Sequence, residues 1–369
     1  DPLARRRVLD TSSLATLWPW FDADLQQPSG WVIGVSRTTQ QPVVIDPFDE
    51  QRYANANIGV FGHSGAGKTY LLSSLAMGAQ ASGAQVFLLD PEHEYGRLAH
   101  RLGGLDVQLR LGSEHSLNVL ELGGLGRDES NLGPIVADTV DLCDVLCGGL
   151  GEAERADLEE VVRIALAEVS EPLLSDVAVR LQSDSRAGRV LRRWSGGSLG
   201  AMFSRPTNID LNSPLIVFGM RELRPELIAP VHFLLAEALW AQIRRRDRRR
   251  LLIIDELGLL FEEPLMRRLI VALARRIRKY GGSLVFATQN PGDLLSSEAG
   301  AVVATNPAIH FFGAHRSGEA VRLQDHFQLS DRQRAILEGA RRGEFLLAAG
   351  ADRIPLQVRI PPWQANILK

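Results

Sequence analysis

The chain has 369 residues, 45% of them hydrophobic and 23% charged, with a formal net charge of −3. This is enough apolar material for one large core or two unequal ones beneath an ordinary soluble surface. The near-neutral balance argues against a standalone DNA-binding module, while leaving room for a local basic surface.

Cys143 and Cys147 are the only cysteines and lie four apart in a helical segment. No histidine or further cysteine nearby completes a zinc set, so they read as packing residues. Few cysteines and no secretion signal fit a reducing cytoplasm. No apolar run approaches the roughly 18 residues of a membrane span. The chain starts at Asp1 rather than at a methionine, which reads as a piece of a longer protein with room for a membrane anchor elsewhere.

Residues 1–56 are expected to form a lead-in. Its first part is polar and proline-punctuated, with SLATLWPWF as an apolar anchor. Trp31–Val35 and Pro42–Asp46 then read as a β-hairpin packing on the core. From residue 57 strands and helices alternate, which predicts an α/β fold with a parallel sheet covered on both faces. Asn57–Phe61 is the first buried strand. It runs into Gly62, His63, Ser64, Gly65, Ala66, Gly67, Lys68, Thr69 and Tyr70, and an amphipathic helix follows at once.

That spacing is a complete phosphate-binding loop in the right setting. Glycines let the backbone turn its N–H groups inward to phosphate oxygens. Lys68 is expected to reach the β- and γ-phosphates, Thr69 to ligate Mg2+, and the helix N-terminus to add the positive end of its dipole. The pattern predicts binding of a nucleoside triphosphate. A second strand, Gln85–Asp90, is followed by Glu92 and Glu94. Glu94 is either a carboxylate facing the site or the N-terminal acid of the next helix.

The first part of the core is assigned to 57–124. Between 125 and 210 strand signals vanish, and apolar residues recur at three- and four-residue spacing. This predicts an all-α insertion folded as a subdomain beside the sheet. The core resumes over 211–369 with Leu215–Gly219. The segment IRRRDRRR (243–250) reads either as a solvated helix end or as a nucleic-acid contact. No aromatic residues interleave with its arginines to provide a stacking platform.

Leu251–Asp255 is a buried strand that delivers Asp255 and Glu256 at its carboxyl end, the edge where open parallel sheets bind ligands. Asp255 is expected to hold Mg2+ through water, and Glu256 to act as general base toward the attacking water. Ser283–Ala287 ends near Gln289, whose amide can donate to the γ-phosphate and accept from that water. Ala308–Phe312 follows, then a closing hairpin of Glu344–Ala348 and Ile354–Ile360.

Four motifs in this order, GHSGAGKT, LLDPEHEY, LLIIDELGLL and ATQNPGDLL, resemble the HerA/FtsK-type branch of RecA-like motor ATPases. Within that branch the chain looks most like the VirB-four (TraC-like) ATPases of conjugation and type IV secretion. The lead-in to the loop, the RRIRKYGG helix end before the glutamine strand and the closing GEFLL stretch carry the same likeness, over roughly residues 12–360. The motif around Asp255 departs from the pattern, with Leu257-Gly258 where an aromatic residue often follows the acids.

The resemblance implies a RecA-like P-loop NTPase core with a parallel central sheet and an inserted helical subdomain. It implies Mg-dependent hydrolysis of ATP to ADP and phosphate, energising a type IV secretion or conjugative transfer apparatus. A DNA-translocating motor of the HerA/FtsK kind is the alternative, and a nucleotide-gated scaffold that hardly turns over is a third. Implied partners are a coupling protein and inner-membrane components at the cytoplasmic face of the cell membrane, with further copies of the chain, a hexamer in the assembled machine. DNA contact stays open. Motors of this type complete their sites with a neighbour's arginine. Arg275, Arg276, Arg278 and Arg316 are the candidates by closeness in sequence to strands bordering the site, each with a solvated helix face as its other reading.

Overall fold

The computed structural model describes residues 25–121, 129–262, 264–359 and 367. The SLATLWPWF anchor lies outside the described residues. One sheet of eleven strands organises the rest, in the order β2 (Pro42–Ile45), β1 (Trp31–Ser36), β11 (Asp352–Val358), β10 (Glu344–Ala349), β9 (Ile309–Phe312), β3 (Ile58–Phe61), β8 (Gly282–Thr288), β7 (Arg250–Ile254), β4 (Gln85–Asp90), β6 (Leu215–Gly219) and β5 (Leu105–Gln108). From β9 to β5 every neighbouring pair is parallel, whereas β9–β10, β10–β11, β11–β1 and β1–β2 are antiparallel.

The central strands are β3 (Ile58–Phe61), β4 (Gln85–Asp90), β7 (Arg250–Ile254) and β8 (Gly282–Thr288), each buried along its whole length. A strand with no solvated side must be covered on both faces. Alternation then divides its residues between two cores. Val60, Val86, Leu88, Ile253 and Val285 join one of them together with α1 (Lys68–Ala81), through Leu71, Leu72 and Leu75. Phe61, Phe87, Leu252 and Phe286 join the other.

That second core holds the helical stretch. It comprises α3 (Glu129–Cys147), α4 (Glu152–Glu168), α5 (Leu174–Arg180), α6 (Arg186–Ser195) and α7 (Gly197–Phe203). Its buried residues, among them Val162, Leu191 and Phe203, pack in the same cluster as Phe87 and Phe218 of the sheet. The buried residues of these helices thus form one continuous cluster with those on that face of the sheet. Cys143 and Cys147 are free and buried in that cluster. No cluster of three or more His, Cys, Asp or Glu suited to a metal occurs among the described residues.

β1 (Trp31–Ser36) and β2 (Pro42–Ile45) form the expected hairpin, which packs on the core through Trp31, Ile33, Val43 and Ile45. β1 pairs with β11 (Asp352–Val358), so the hairpin continues the main sheet. β5 (Leu105–Gln108) is a further edge strand pairing with β6 (Leu215–Gly219).

In addition, α8 (Pro225–Arg244) spans 20 residues with mean hydropathy 1.2, long and apolar enough by composition to cross a membrane. Its 18-residue window is 67% buried inside the protein, as befits a helix spent on the core.

The start of β3 is fixed by a buried amide. Asn57 Oδ1 accepts from the Leu284 N–H at 2.8 Å, and its Nδ2 donates to the Ala274 carbonyl at 3.0 Å and to Asn306 Oδ1 at 2.7 Å. Removing it strands two buried backbone groups and the half-buried Asn306 amide, so Asn57→Ala is expected to lower stability by about 1–3 kcal/mol. The check is an earlier urea midpoint at unchanged denaturant slope.

Candidate functional site

In the parallel part of the sheet, the residues that follow β3, β8, β7 and β4 all emerge at one edge. The loop after β3 turns directly into α1, with Gly65 at φ +82° and Gly67 at φ +100°, values that side chains with a Cβ rarely adopt. A Cβ on Gly62 would also press on the Ala66 methyl at 3.0 Å. Gly62 and Ala66 are buried, whereas His63, Ser64 and Gly65 are exposed at the loop tip. Lys68 is buried and its Nζ donates to the Gly62 carbonyl at 3.0 Å, closing the loop on itself.

Ser64, Gly65, Gly67, Lys68, Thr69 and Tyr70 line a cleft of about 240 Å³ together with Glu94, Asp255, Glu256 and Gln289. Residues from four strand ends thus meet in one cavity. Glu94 faces this cleft: Thr69 Oγ1 donates to Glu94 Oε2 at 2.7 Å. The following helix α2 (Gly96–Arg101) starts only after Tyr95, so Glu94 is not part of its first turn. Asp90, at the end of β4, holds the turn by accepting from the N–H groups of Glu94 and Tyr95 at 3.0 and 2.9 Å. Burial pushes the Asp90 carboxyl up to about 6. Tyr95 was not singled out in the sequence, yet its buried hydroxyl donates to Asp255 Oδ2 at 2.8 Å.

Glu256 sits at φ 55°, ψ 64°, a left-handed conformation that costs a non-glycine residue energy and recurs at functional sites. It directly precedes the short helix α9 (Leu257–Phe261). The strained turn aims its carboxylate back at β8, where Glu256 Oε1 accepts from the Gln289 N–H at 3.3 Å. Glu256 Oε2 and Thr288 Oγ1 are buried with no hydrogen-bond partner among the described residues. A Cβ on Gly258 would lie 3.6 Å from Glu256 Oε1 and 4.0 Å from Thr288 Oγ1. A side chain at 258 would therefore begin in van der Waals contact with the carboxylate.

The electrostatics are those of a site short of positive charge. Burial raises the pKa of Asp255 and of Glu256, partly offset by Lys68. Burial lowers the pKa of Lys68, against the pull of Glu256, Asp255 and Glu94. Three carboxylates thus share one ammonium. The donors on this side of the cleft are all oxygen, from Thr69, Glu94 and Asp255, the set that suits a hard divalent cation such as Mg2+.

The arginine candidates separate. Arg316 precedes α11 (Ser317–Phe327) and lines a larger cleft of about 1190 Å³ with His63, Ser64 and Gln289. This cleft shares Ser64 and Gln289 with the smaller one. Arg275 and Arg276 end α10 (Pro264–Arg276), and Arg278 follows before β8 begins. β8 spans roughly 20 Å, and Gln289 emerges from its other end. The structure does not bring Arg275, Arg276 or Arg278 to the cleft of their own chain. The 243–250 arginines meet aromatic rings that sequence adjacency hid. Arg246 lies over Tyr280 at 4.7 Å and Arg249 over Phe48 at 4.9 Å.

Comparison with known proteins adds to this geometry. A family model described as the helicase HerA central domain matches residues 30–188. The chain is similar to the type IV secretion system protein virB4 of Bartonella quintana, 23% identical over 97% of this chain and 47% of that protein. The Bartonella henselae counterpart is 24% identical over the same shares. The chain therefore spans about half the length of the curated relatives it matches. Among solved structures, VirB4 of Thermoanaerobacter pseudethanolicus superposes with a TM-score of 0.77 at 24% identity, covering 93% of this chain and all of that one. The plasmid coupling protein TrwB in complex with ADP and Mg2+ superposes with a TM-score of 0.59 at 15% identity, over 90% of each chain. The fold is that of a RecA-like P-loop NTPase with a mostly parallel sheet.

Proposed function

From a VirB4-like sequence and this fold, we propose that the chain is the motor portion of a type IV secretion or conjugative transfer ATPase, hydrolysing ATP to ADP and phosphate with Mg2+. The observation that carries the reading is the meeting of Lys68, Thr69, Asp255, Glu256 and Gln289 in one cleft at the carboxyl edge of the sheet.

Bound magnesium would neutralise charge on the β- and γ-phosphate oxygens. Thr69 and Asp255 are the residues to hold it, with Glu94 beside them. The backbone N–H groups of residues 64–69 and the Lys68 ammonium grip the phosphate chain. Gln289 orients a water through its amide, and Glu256 takes the proton of that water. The water oxygen bonds to the γ-phosphorus as the bond from phosphorus to the β–γ bridging oxygen breaks, and ADP leaves with that electron pair. Arg316 is the arginine best placed to respond to the γ-phosphate or to a neighbouring subunit, because its cleft adjoins Ser64 and Gln289.

The test is phosphate release from ATP with and without magnesium, and with and without DNA, over a range of salt and protein concentration. Magnesium-dependent hydrolysis indifferent to DNA is expected. Activity stimulated by DNA and lost steeply with salt would instead favour the DNA-translocating reading. The same assembly reading proposes secretion-system subunits and further copies of this chain as partners, at the cytoplasmic face of the membrane. Rising specific activity with concentration would support a site completed between copies.

Tyr95 offers a finer check. A hydroxyl that orients a metal-holding carboxylate acts as its outer shell, and losing such a partner costs about 10–100-fold in metal affinity. Tyr95→Phe is expected to shift the magnesium midpoint of nucleotide binding upward by that factor. An unshifted midpoint removes Tyr95 from the site.

A further inference from the structure

The turn joining α12 (Asp331–Gly339) to β10 (Glu344–Ala349) lies directly on the phosphate loop. The Gly343 N–H donates to the Ala66 carbonyl at 2.8 Å. A Cβ on Gly67 would come within 3.0 Å of the Gly343 nitrogen and 3.2 Å of its Cα. Gly67 at φ +100° and Gly343 at φ +80° therefore nest backbone against backbone, which side chains would prevent.

The turn is held from behind as firmly as from the front. The Gly343 carbonyl accepts from the Val358 N–H at 2.9 Å and from Gln357 Nε2 at 3.2 Å, both on β11. Glu344 accepts from the Arg341 N–H at 2.9 Å and pairs with Arg37 at 3.1 Å. The antiparallel extension of the sheet thus clamps one short turn over the loop. At its tip stands Arg342, whose side chain lines the same cleft as Lys68, Thr69 and Glu256. Among the described residues no salt bridge involves it. In a cleft lined by four carboxylates (Glu92, Glu94, Asp255 and Glu256) and one ammonium, a second cation in no ion pair among the described residues is suited to a polyphosphate.

The sheet order tells which part of the polyphosphate. Glu94, Asp255, Glu256 and Gln289 follow β4, β7 and β8, all to one side of β3, whereas β9 and β10 lie to the other. The phosphoryl group that is cleaved has to face the acids and the glutamine. The remainder of the nucleotide runs the opposite way, toward the turn over Gly67. We propose that Arg342 is a nucleotide-binding residue that contacts the α- and β-phosphates, the portion ATP and ADP share. The inference rests on the ATP-binding reading above and deepens it: this arginine holds nucleotide before and after hydrolysis alike.

Calorimetric titration of the chain with ADP and with a non-hydrolysable ATP analogue, both with magnesium, tests it. Arg342→Ala is expected to raise Kd about 10–100-fold for both ligands and by a similar factor. Arg342→Lys recovers only part, since an ammonium lacks the planar fork of a guanidinium. Arg341→Ala, at the neighbouring exposed arginine, should bind as wild type does. Because Arg342 is exposed, its loss leaves the core untouched, and Arg342→Gln, which keeps the aliphatic stem, gives the same comparison. Unchanged affinity in the Arg342 variants while Lys68→Ala loses binding would overturn this inference alone. So would a loss confined to the triphosphate analogue. A wild-type chain that binds neither ligand would overturn the ATP-binding reading itself.

Discussion

Glu256→Gln is expected to bind ATP within a few-fold of wild type and to hydrolyse it about 10²–10⁴-fold more slowly, the usual contribution of a positioned general base. The substitution keeps the side-chain shape and the acceptor for the Gln289 N–H, now 3.3 Å from Glu256 Oε1. It removes only the ability to take a proton. The buried Oε2, without a partner among the described residues, is the oxygen free to face a water.

The left-handed backbone at Glu256 sharpens the expectation. The chain tolerates a strained residue there, and a glutamine would inherit the strain without the chemistry. Relieving it by Glu256→Gly should stabilise the turn locally yet leave hydrolysis as low as in the glutamine variant. Single-turnover phosphate release at saturating ATP checks this. Hydrolysis at the wild-type rate in Glu256→Gln would move the role of base to another carboxylate, with Glu94 next in line across the Thr69 contact.

Most of the site was legible because its chemistry sits where buried strands end. IGVF, QVFLLD, RLLII and GSLVFAT are continuous apolar runs closed by glycine or polar residues. In a parallel sheet, the residues just after such runs share one edge. The same rule sets Arg275, Arg276 and Arg278 apart from the cleft of their own chain: they come before β8 while Gln289 comes after it, so a full strand length separates them. Their proposed role is at the site of a neighbouring copy, which that separation does not touch.

What stayed hidden depends on pairings between distant segments. β1 meets β11 through Gly34 opposite Val358, which no local period announces. β5, LDVQ, is four residues long with a single buried position, too short for alternation to register. Tyr95 reaches Asp255, and the turn at Gly343 reaches Ala66, only once the sheet has formed. Arg342 therefore carried no signal of its own in a sequence rich in arginine. The arginines of 243–250 likewise gained their aromatic neighbours, Tyr280 and Phe48, from other parts of the chain.

Lys68→Ala is expected to abolish measurable nucleotide binding, and turnover with it. The cleft owes its capacity for an anion to the balance between Lys68 and three carboxylates, and truncation leaves Glu94, Asp255 and Glu256 without the ammonium that all three stabilise. Each charged hydrogen bond to phosphate is worth about 1.5–3 kcal/mol. Losing two such contacts weakens binding on the order of 10²–10⁴-fold, before added repulsion between the acids and the phosphates is counted. The fold should survive, because α1 is anchored by Leu71, Leu72 and Leu75 in the core and not by its first residue. Lys68→Arg should fail nearly as badly, since the buried space above the Gly62 carbonyl fits an ammonium and not a guanidinium fork.

Thermal unfolding separates loss of binding from loss of structure. Nucleotide at a hundred times its Kd stabilises the native wild type by about 2.7 kcal/mol. The lysine variants should unfold cooperatively without nucleotide and gain nothing when it is added. If Lys68→Ala were protected by ATP as well as the wild type is, the phosphate chain would have to be held by something other than the turn between β3 and α1.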